Sequence, residues 1–246
     1  MECTCSCIDR SIKMRPRPDE LAEPGPEFMD HRENQFAHKP DKPLFWLSAV
    51  AAFLGDPTVF PSLNYMTSAA FLGYPASRGH LHISTSDPYA TPDFLAGFLS
   101  SPVDVTAMRW AYKKGRELNR RLPSYRGACF LGHPKFPPGD IAAMEETHTV
   151  PIDAPKIVYS AEDDQAIDAY LRQVIQTAWH SLGTCAMKPL EQGVVDSKLN
   201  VYGVKNFKVA DLSIPPSNVN SNTCSAAIAI GEKAAVIIAN ELGGSV

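Results

Sequence analysis

The sequence predicts an α+β protein, in which strands and helices occupy separate segments of the chain. Polar and apolar residues alternate over 79–84, as in a half-buried strand. Apolar residues recur at helical spacing over 102–121 and 161–178, and a helix of small and aliphatic residues follows Asn222. The chain has 246 residues, 44% of them hydrophobic, which is enough for one large domain or two modest ones.

The charge and hydropathy of the chain argue against two classes of partner. The net charge is -4, and no long basic run points to nucleic acid or to an anionic membrane surface. The most apolar long stretch, 44–54, is about half the length that spans a bilayer. The N-terminus lacks the basic and then apolar layout of a signal peptide. We therefore expect an intracellular protein that binds neither nucleic acid nor membrane.

Three of the six cysteines form a C-x-C-x-C cluster and three are scattered, which implies no disulfide framework. The cluster is Cys3, Cys5 and Cys7, and the scattered residues are Cys129, Cys185 and Cys224. The cluster could bind a soft metal, but no second group of ligands completes a site. We favour a disordered terminus without function and predict no metal site.

The first elements come from an N-terminal segment that is rich in proline and charge. Residues 1–42 predict an extended arm, with one helix around Pro26 to Phe36. In the strand at 79–84, His80 and His82 lie on one face, opposite the apolar residues. Two such histidines could be metal ligands, but without a carboxylate or cysteine at suitable spacing a solvated face is favoured.

Two amphipathic helices follow in the chain. The helix at 102–121 opens at a proline and closes in arginines, which suit a helix C-terminus. The helix at 161–178 begins with three acidic residues and leads directly into Trp179 and His180. We therefore expect the histidine to stand at the end of a rigid element.

The C-terminal segment predicts a turn, a strand and a tightly packed helix. Gly203 makes the turn with Lys205 and Asn206, and Phe207 to Ala210 predict a buried strand that ends at Asp211. The helix over 223–242 has Thr223 or Asn222 as its natural N-cap and should pack closely on its neighbours. Backbone N–H groups at such a helix N-terminus can face an anion such as a pyrophosphate.

Four separated motifs carry a resemblance to a known family. The stretches AWHSLGTCAM (178–187) and GVVDSKLNVYGVKNFKVADLSIPPSNVNSNT (193–223) resemble the C-terminal signature of the glucose-methanol-choline (GMC) oxidoreductases. The stretches YPASRGHLHI (74–83) and DPYATPDF (87–94) resemble the entry to the substrate-domain sheet of that family. IKMRPRPDEL, KPDKP, YATPDFLAGF and MRWAYKKGRE further resemble its alcohol (methanol) oxidase branch, from about Ser11 to the end.

The resemblance implies a substrate domain with a mainly antiparallel sheet and flanking helices, plus the last strand and helix of a Rossmann-like FAD domain. It implies three segments: an N-terminal arm over 1–42, the substrate domain over 43–188, and the returning segment of the FAD domain over 189–246. It implies that His180 is the general base and that Asn222 hydrogen-bonds the substrate oxygen. Asp211, Leu212, Asn222 and Thr223 would contact FAD, and Trp179 would wall the pocket.

The chemistry of alcohol oxidation is consistent with these residue types. An alcohol gives up hydride readily only when it loses its proton, and a neutral imidazole accepts that proton near neutral pH. An amide donates to the developing alkoxide without taking the proton. Alone, His180 would be taken for a helix cap that satisfies core hydrogen bonds. Ser181 and Cys185 lack the G-x-S-x-G and Cys-His-Asn patterns that would indicate a hydrolase.

The main departure from the family is that no G-x-G-x-x-G turn occurs in the 246 residues. Two hypotheses follow. In the first, the chain is the C-terminal half of an FAD-dependent oxidase, which converts a small primary alcohol and O2 to an aldehyde and hydrogen peroxide. A homo-oligomer is compatible with this hypothesis. In the second, it is a non-catalytic remnant or interaction module that keeps the substrate-domain fold and has lost FAD. If the chain is complete, we expect weak or no FAD binding and exposed apolar surface on the segment that would pack against the absent half.

Two further expectations concern size and location. The chain is shorter than the alcohol oxidases between Gly132 and Ile157, where an insertion would provide oligomer contacts. The family's branch implies a peroxisomal location, but the terminus GGSV is not an S-K-L-type address, so a cytoplasmic location is equally expected.

Overall fold

A computed structural model describes residues 8–20, 23–56, 58, 63–129, 132–143, 146–220 and 222–244. The chain divides into two compact units. Unit 1 comprises the described parts of 1–72 and 98–175, and unit 2 those of 73–97 and 176–246. The domain boundaries expected after residues 42 and 188 stay a prediction. The C-x-C-x-C cluster lies outside the described residues.

Unit 1 contains a three-stranded antiparallel sheet with β2 in the centre. The strands are β1 (Ile8–Met14), β2 (Phe45–Val50) and β3 (Thr67–Leu72), in the order β1-β2-β3. β2 lies within the apolar stretch 44–54 that is too short to span a membrane, and four of its six residues are buried. β1 was not predicted: the segment expected to be an extended arm supplies an edge strand, in which Met14 pairs with Phe45.

Three α-helices lie in the described part of unit 1. They are α1 (Pro26–Gln35), α2 (Pro102–Asn119) and α3 (Ala161–Val174). The predicted α1 is confirmed, and α2 is confirmed two residues shorter at its end. α2 packs against β3, α1 and α3, and its Val105 and Met108 form a buried cluster with Ile167 and Leu171 of α3. The apolar stripe that predicted α2 is therefore its core face.

α3 ends four residues earlier than predicted. Ser160 and Asp163 form a capping box at its start, in which the Asp163 N–H donates to Ser160 Oγ and the Ser160 N–H donates to Asp163 Oδ2. At the other end, Ile175 leaves the helical conformation with ψ 134°. The β-branched residues Val174, Ile175 and Thr177 are weak helix formers. The expectation that His180 stands at the end of a rigid helix is therefore wrong.

A buried carboxylate joins the N-terminal segment to α2. Glu20 is 1% exposed, accepts hydrogen bonds from the Arg17 backbone N–H and from Lys114 Nζ, and forms ion pairs with both side chains. Burial by itself raises the pKa of Glu20, but Lys114 and Arg17 outweigh it and hold the pKa below its ordinary value of 4.5. This carboxylate is therefore ionised at neutral pH and binds the segment to the helix.

We expect Glu20→Gln to destabilise unit 1 at pH 7 by about 1–3 kcal/mol, since an amide leaves Lys114 without its buried partner. Because the folded pKa is depressed, the stabilisation is fully present above pH 4.5 and is lost as pH falls through the folded pKa. Urea unfolding at pH 7 and at pH values below 4.5 measures both effects. The exposed Glu27→Gln is the control. A stability loss that does not shrink at low pH would contradict the ionic explanation.

Unit 2 contains a small hairpin. β4 (His80–His82) pairs antiparallel with β5 (Asp93–Leu95). The predicted strand is confirmed in part, but it is not half-buried, since Leu81 is 50% exposed. His80 Nε2 lies 3.3 Å from Asp93 Oδ2, so the hairpin supplies the carboxylate that sequence spacing did not suggest. Among the described residues no group of three histidines, cysteines or carboxylates could hold a metal ion.

The polypeptide after 186 in unit 2 runs mostly through turns. Gly203 and Asn206 have φ of 75° and 57°, which confirms the predicted turn. The buried strand predicted at 207–210 is wrong: Phe207 is 55% exposed, and Lys208 makes only an isolated bridge to Asn200. No neighbouring strand continues this bridge in the described residues, so a strand cannot propagate. A small core still forms there, of Val195, Leu199, Ile214 and Ala234.

α4 (Cys224–Glu241) is the predicted C-terminal helix. The prediction that it packs closely on its neighbours is wrong, since Ala234 is its only residue classed as buried, and Ile228 is 62% exposed. The exposed apolar surface foreseen for this segment is therefore present on α4. No helix in the described part of the chain combines the length and apolarity that crossing a membrane requires.

Candidate functional site

His180 lies between two consecutive residues at the start of α4. His180 Nε2 is 3.0 Å from Asn222 Oδ1, and His180 Nδ1 is 3.1 Å from Thr223 Oγ1. The ring is half-buried, Asn222 is exposed and Thr223 is 3% exposed. The structure therefore brings together three of the six residues that the sequence singled out, and one edge of the cluster is open to solvent.

A ladder of backbone hydrogen bonds fixes the segment after His180 beside the segment after Asp211. The N–H groups of Gly183, Cys185 and Met187 donate to the carbonyls of Leu212, Ser213 and Ile214 at 2.7–3.0 Å. Gly183 has φ 85°, and a Cβ there would lie 3.1 Å from the Pro215 carbonyl oxygen. A glycine is therefore required at the point where the two segments meet.

Two further predicted site residues, Asp211 and Leu212, lie on this second segment. Leu212 takes part through its backbone carbonyl. Asp211 is exposed, and its Oδ1 accepts the Ser213 backbone N–H at 2.8 Å. Hydrogen bonds from Ser213 hold the pKa of Asp211 below its ordinary value, so the carboxylate is ionised at neutral pH. Neither residue contacts His180 through a described side-chain hydrogen bond.

Trp179, the sixth predicted residue, presents its indole to solvent. It is 79% exposed, its φ is 58°, and its backbone N–H donates to Thr177 Oγ1 at 2.9 Å. A left-handed backbone conformation is uncommon for a residue as bulky as tryptophan. The indole stands next to the histidine along the chain, but it is not among the described residues that pack on the core cluster of Val195, Leu199, Ile214 and Ala234.

The hydrogen-bond partners of His180 are compatible with both neutral tautomers of the ring. In one of them, Nδ1 accepts from the Thr223 backbone N–H at 3.5 Å and Nε2–H donates to Asn222 Oδ1. To accept a proton at Nε2, the ring needs its other tautomer, in which Nδ1–H donates to Thr223 Oγ1. Rotation of the Asn222 amide by a half-turn would then place its NH2 group on the side of His180 Nε2, where Oδ1 now lies. The cluster can thus supply one acceptor and one donor.

Sequence reasoning missed two features of this site. Thr223 is the N-cap residue of α4, as predicted, but its hydroxyl bonds His180 and not a backbone N–H of the helix. Sequence reasoning also missed Asn220, a buried residue with φ 50° whose Oδ1 has no described hydrogen-bond partner. A Cβ at Gly73 would lie 2.2 Å from that oxygen, so Gly73 admits the amide. No local pattern in the sequence links residues so far apart.

Comparison with known proteins identifies the family. A model of the GMC oxidoreductase family, for its C-terminal domain, matches residues 75–231, which include His180 and Asn222. The chain belongs to the GMC oxidoreductase family. The family resemblance drawn from the motifs is therefore confirmed.

Alcohol oxidases are among the most similar relatives of this GMC chain. The enzyme of Pichia angusta is 40% identical over 288 positions, which cover 98% of this chain and 43% of the relative. That of Candida boidinii is 39% identical, with 97% and 43% covered. The chain thus spans less than half the length of these relatives. Because 288 aligned positions exceed 246 residues, the relative also has residues that this chain lacks.

A solved structure shows the same arrangement of elements. Formate oxidase of Aspergillus oryzae RIB40 superposes with a TM-score of 0.67 at 26% identity, covering 96% of this chain and 38% of that chain. That oxidase contains FAD, and GMC oxidoreductases are FAD flavoproteins. The predicted antiparallel sheets with flanking helices are confirmed, whereas the predicted C-terminal strand is not among the described elements.

The residues at the start of α4 fit a bound flavin cofactor. The N–H groups of the first turn of α4 have no side-chain cap, so they can donate to a carbonyl or anionic group. Asn220 Oδ1 is a buried acceptor without a described partner. Both features lie within a few residues of His180's partners Asn222 and Thr223. Unsatisfied groups of this kind are what a ligand satisfies on binding.

Proposed function

We propose that the chain is the C-terminal half of an FAD-dependent oxidase of small primary alcohols. The observation that carries the proposal is the contact of His180 Nε2 with Asn222 at 3.0 Å, on an edge open to solvent. The similarity to alcohol oxidases along nearly the whole chain supports it. Aldehyde and hydrogen peroxide would be the products.

In this proposal the chain's residues bind and deprotonate the alcohol. The alcohol oxygen takes the place that Asn222 Oδ1 now has beside His180 Nε2, and the rotated Asn222 amide donates to the same oxygen. His180 Nε2 accepts the hydroxyl proton, while Nδ1–H is held by Thr223 Oγ1. The developing alkoxide is stabilised by the Asn222 NH2 group. When bound, FAD supplies the acceptor for hydride and the reactivity toward O2.

The other residues orient this pair and limit access to it. Thr223 is a positioning residue, since it bonds the ring nitrogen that does not meet substrate. Trp179 is proposed to wall the pocket and exclude water. Asp211, Leu212 and the start of α4 are proposed to contact FAD, the last through backbone N–H groups without caps. The exposed apolar face of α4 would be covered by the part of the enzyme that carries the dinucleotide turn.

The test is the absorbance spectrum of the purified chain with added FAD, alone and co-expressed with the N-terminal part of the Pichia angusta alcohol oxidase. We expect flavin bands at about 380 and 450 nm only in the second preparation, because the glycine turn that seats the pyrophosphate is absent from this sequence. Anaerobic methanol or ethanol should then bleach the bands.

Each outcome distinguishes the alternatives. Bound flavin that primary alcohols do not bleach would overturn the proposed reaction and leave the cofactor in place. No flavin in either preparation, with both chains folded by circular dichroism, would favour the non-catalytic remnant or interaction module. Bleaching by the chain alone would show that the described site is sufficient without a further dinucleotide turn.

A further inference from the structure

A narrow cleft in unit 1 lies beside the C-terminal end of α1. It has a volume of about 30 Å³ and is lined by Arg15, Pro16, Phe28, Arg32, Phe36 and Leu44. Phe28, Phe36 and Leu44 are buried, so one side of the cleft is apolar. The described lining residues include two arginines and no carboxylate. None of them belongs to the His180 site.

Backbone carbonyls alone hold the guanidinium group of Arg15. Its Nη1 donates to the carbonyls of Lys39 and Pro40 at 2.7 Å, and its Nη2 donates to that of Phe36 at 2.8 Å. These bonds use at most three of the five N–H groups of a guanidinium, and Nε takes part in none of them. Among the described residues Arg15 forms no ion pair with a carboxylate. Its charge is therefore fixed at the cleft with N–H groups left over.

Arg32 is still less satisfied. It lies in the last turn of α1, and its Nη1 is 3.4 Å from Oε2 of the exposed Glu33. Such a long surface pair contributes little. The Arg32 side chain is nevertheless only 24% exposed. At least four of its N–H groups have no described acceptor, because the bond to Glu33 uses at most one of five.

A carboxylate group matches this cleft in charge, shape and size. The planar forks of two guanidinium groups fit the two oxygens of a carboxylate. One water molecule needs about 10–15 Å³, so about 30 Å³ admits two waters or the three heavy atoms of a carboxylate group. The apolar side formed by Phe28 suits the hydrogen or methyl group of a short acid.

We propose that the cleft binds the carboxylate group of a short monocarboxylic acid, such as formate or acetate, between Arg15 and Arg32. The carboxylate accepts the N–H groups that these two side chains have left over. The bound acid links the segment after β1 to α1 and thereby stabilises unit 1. The C-terminal carboxylate of a peptide offers the same chemistry. The site is independent of the proposed oxidase activity.

The test is urea unfolding of the full chain at pH 7, as formate or acetate replaces chloride at constant ionic strength. Above the dissociation constant, each tenfold rise in the acid should multiply the folding equilibrium constant about tenfold. Arg32→Met should reduce this dependence to the general effect of the salt. Arg32→Lys keeps the charge but loses the planar fork and should weaken the dependence. Arg126→Met, at an exposed arginine of the same unit, should keep it unchanged.

A second measurement uses only the unmodified chain and so does not depend on the folding of a variant. The fluorine NMR signal of trifluoroacetate should broaden when the chain is added and sharpen again when formate displaces it. Glycylglycine and its amide distinguish the sources of the carboxylate. Displacement by the free dipeptide at a lower concentration than acetate, and not by its amide, would support the site and assign it to peptide termini.

Two results would overturn the proposal. One is equal stability in formate and chloride together with an unbroadened fluorine signal. The other is broadening that persists in a folded Arg32→Met variant, which would place the anion elsewhere on the chain. In either case the carbonyls at the end of α1, where the helix dipole is negative, are enough to balance Arg15.

Discussion

Replacement of His180 by alanine is expected to lower the rate of flavin reduction by a primary alcohol about 10²–10⁴-fold, the usual contribution of a positioned base. The reason is local, since His180 is the group that faces Asn222 at 3.0 Å and can accept the hydroxyl proton. Stopped-flow reduction of the flavin-loaded enzyme that contains this chain measures the rate directly. Flavin binding should change far less than the rate, because the uncapped N–H groups of α4 remain.

The matched control is His148→Ala, since His148 is exposed and its described side-chain hydrogen bond is to its neighbour Thr147. Its rate of flavin reduction should equal that of the unmodified enzyme. Added imidazole should partly restore the rate of His180→Ala, which a merely structural defect would not allow. Reduction of the His180→Ala flavin at the unmodified rate would remove His180 from the mechanism.

Phe45→Ala is expected to destabilise unit 1 by about 3–5 kcal/mol, as for other large-to-small changes in cores. Phe45 is fully buried in the central strand β2 and meets Trp110 of α2 edge to face, with ring centres 5.2 Å apart. Its loss leaves a cavity between sheet and helix. Since domains have about 5–15 kcal/mol of stability, this change removes a large share of it. Urea unfolding followed by circular dichroism measures the loss.

Phe71→Ala is the control for the size of the side chain. Phe71 lies on β3 of the same sheet but is 36% exposed, so less apolar surface returns to water and the cavity is open. Its cost should be less than half that of Phe45→Ala. Equal costs for the two variants would mean that the sheet does not form the predicted core with α2.

Periodicity predicted the helices of this chain better than its strands. An apolar stripe in the sequence predicted α2, and that stripe is its core face. The edge strand β1 could not be predicted, because its pairing with Phe45 depends on a partner about thirty residues away. The run at 207–210 has the composition of a strand but no partner to extend its ladder, and strand propensity depends on such a context.

The site was predicted from motifs and not from local structure. The sequence brought His180 and Asn222 forward only through the family signature, and their contact spans 42 positions of chain. Thr223 is the N-cap residue that the sequence predicted, but its bond to His180 is tertiary and has no local signal. No sequence pattern indicated that the side-chain oxygen of Asn220 would be buried without a described hydrogen-bond partner. Burial and close approach to Gly73 exist only in the folded chain.

The left-handed backbone conformation of Trp179 has a cost in folding stability. A left-handed conformation costs a residue other than glycine roughly 1–2 kcal/mol, so glycine at 179 would make the chain more stable. The indole next to His180 along the chain is therefore held at the expense of folding stability.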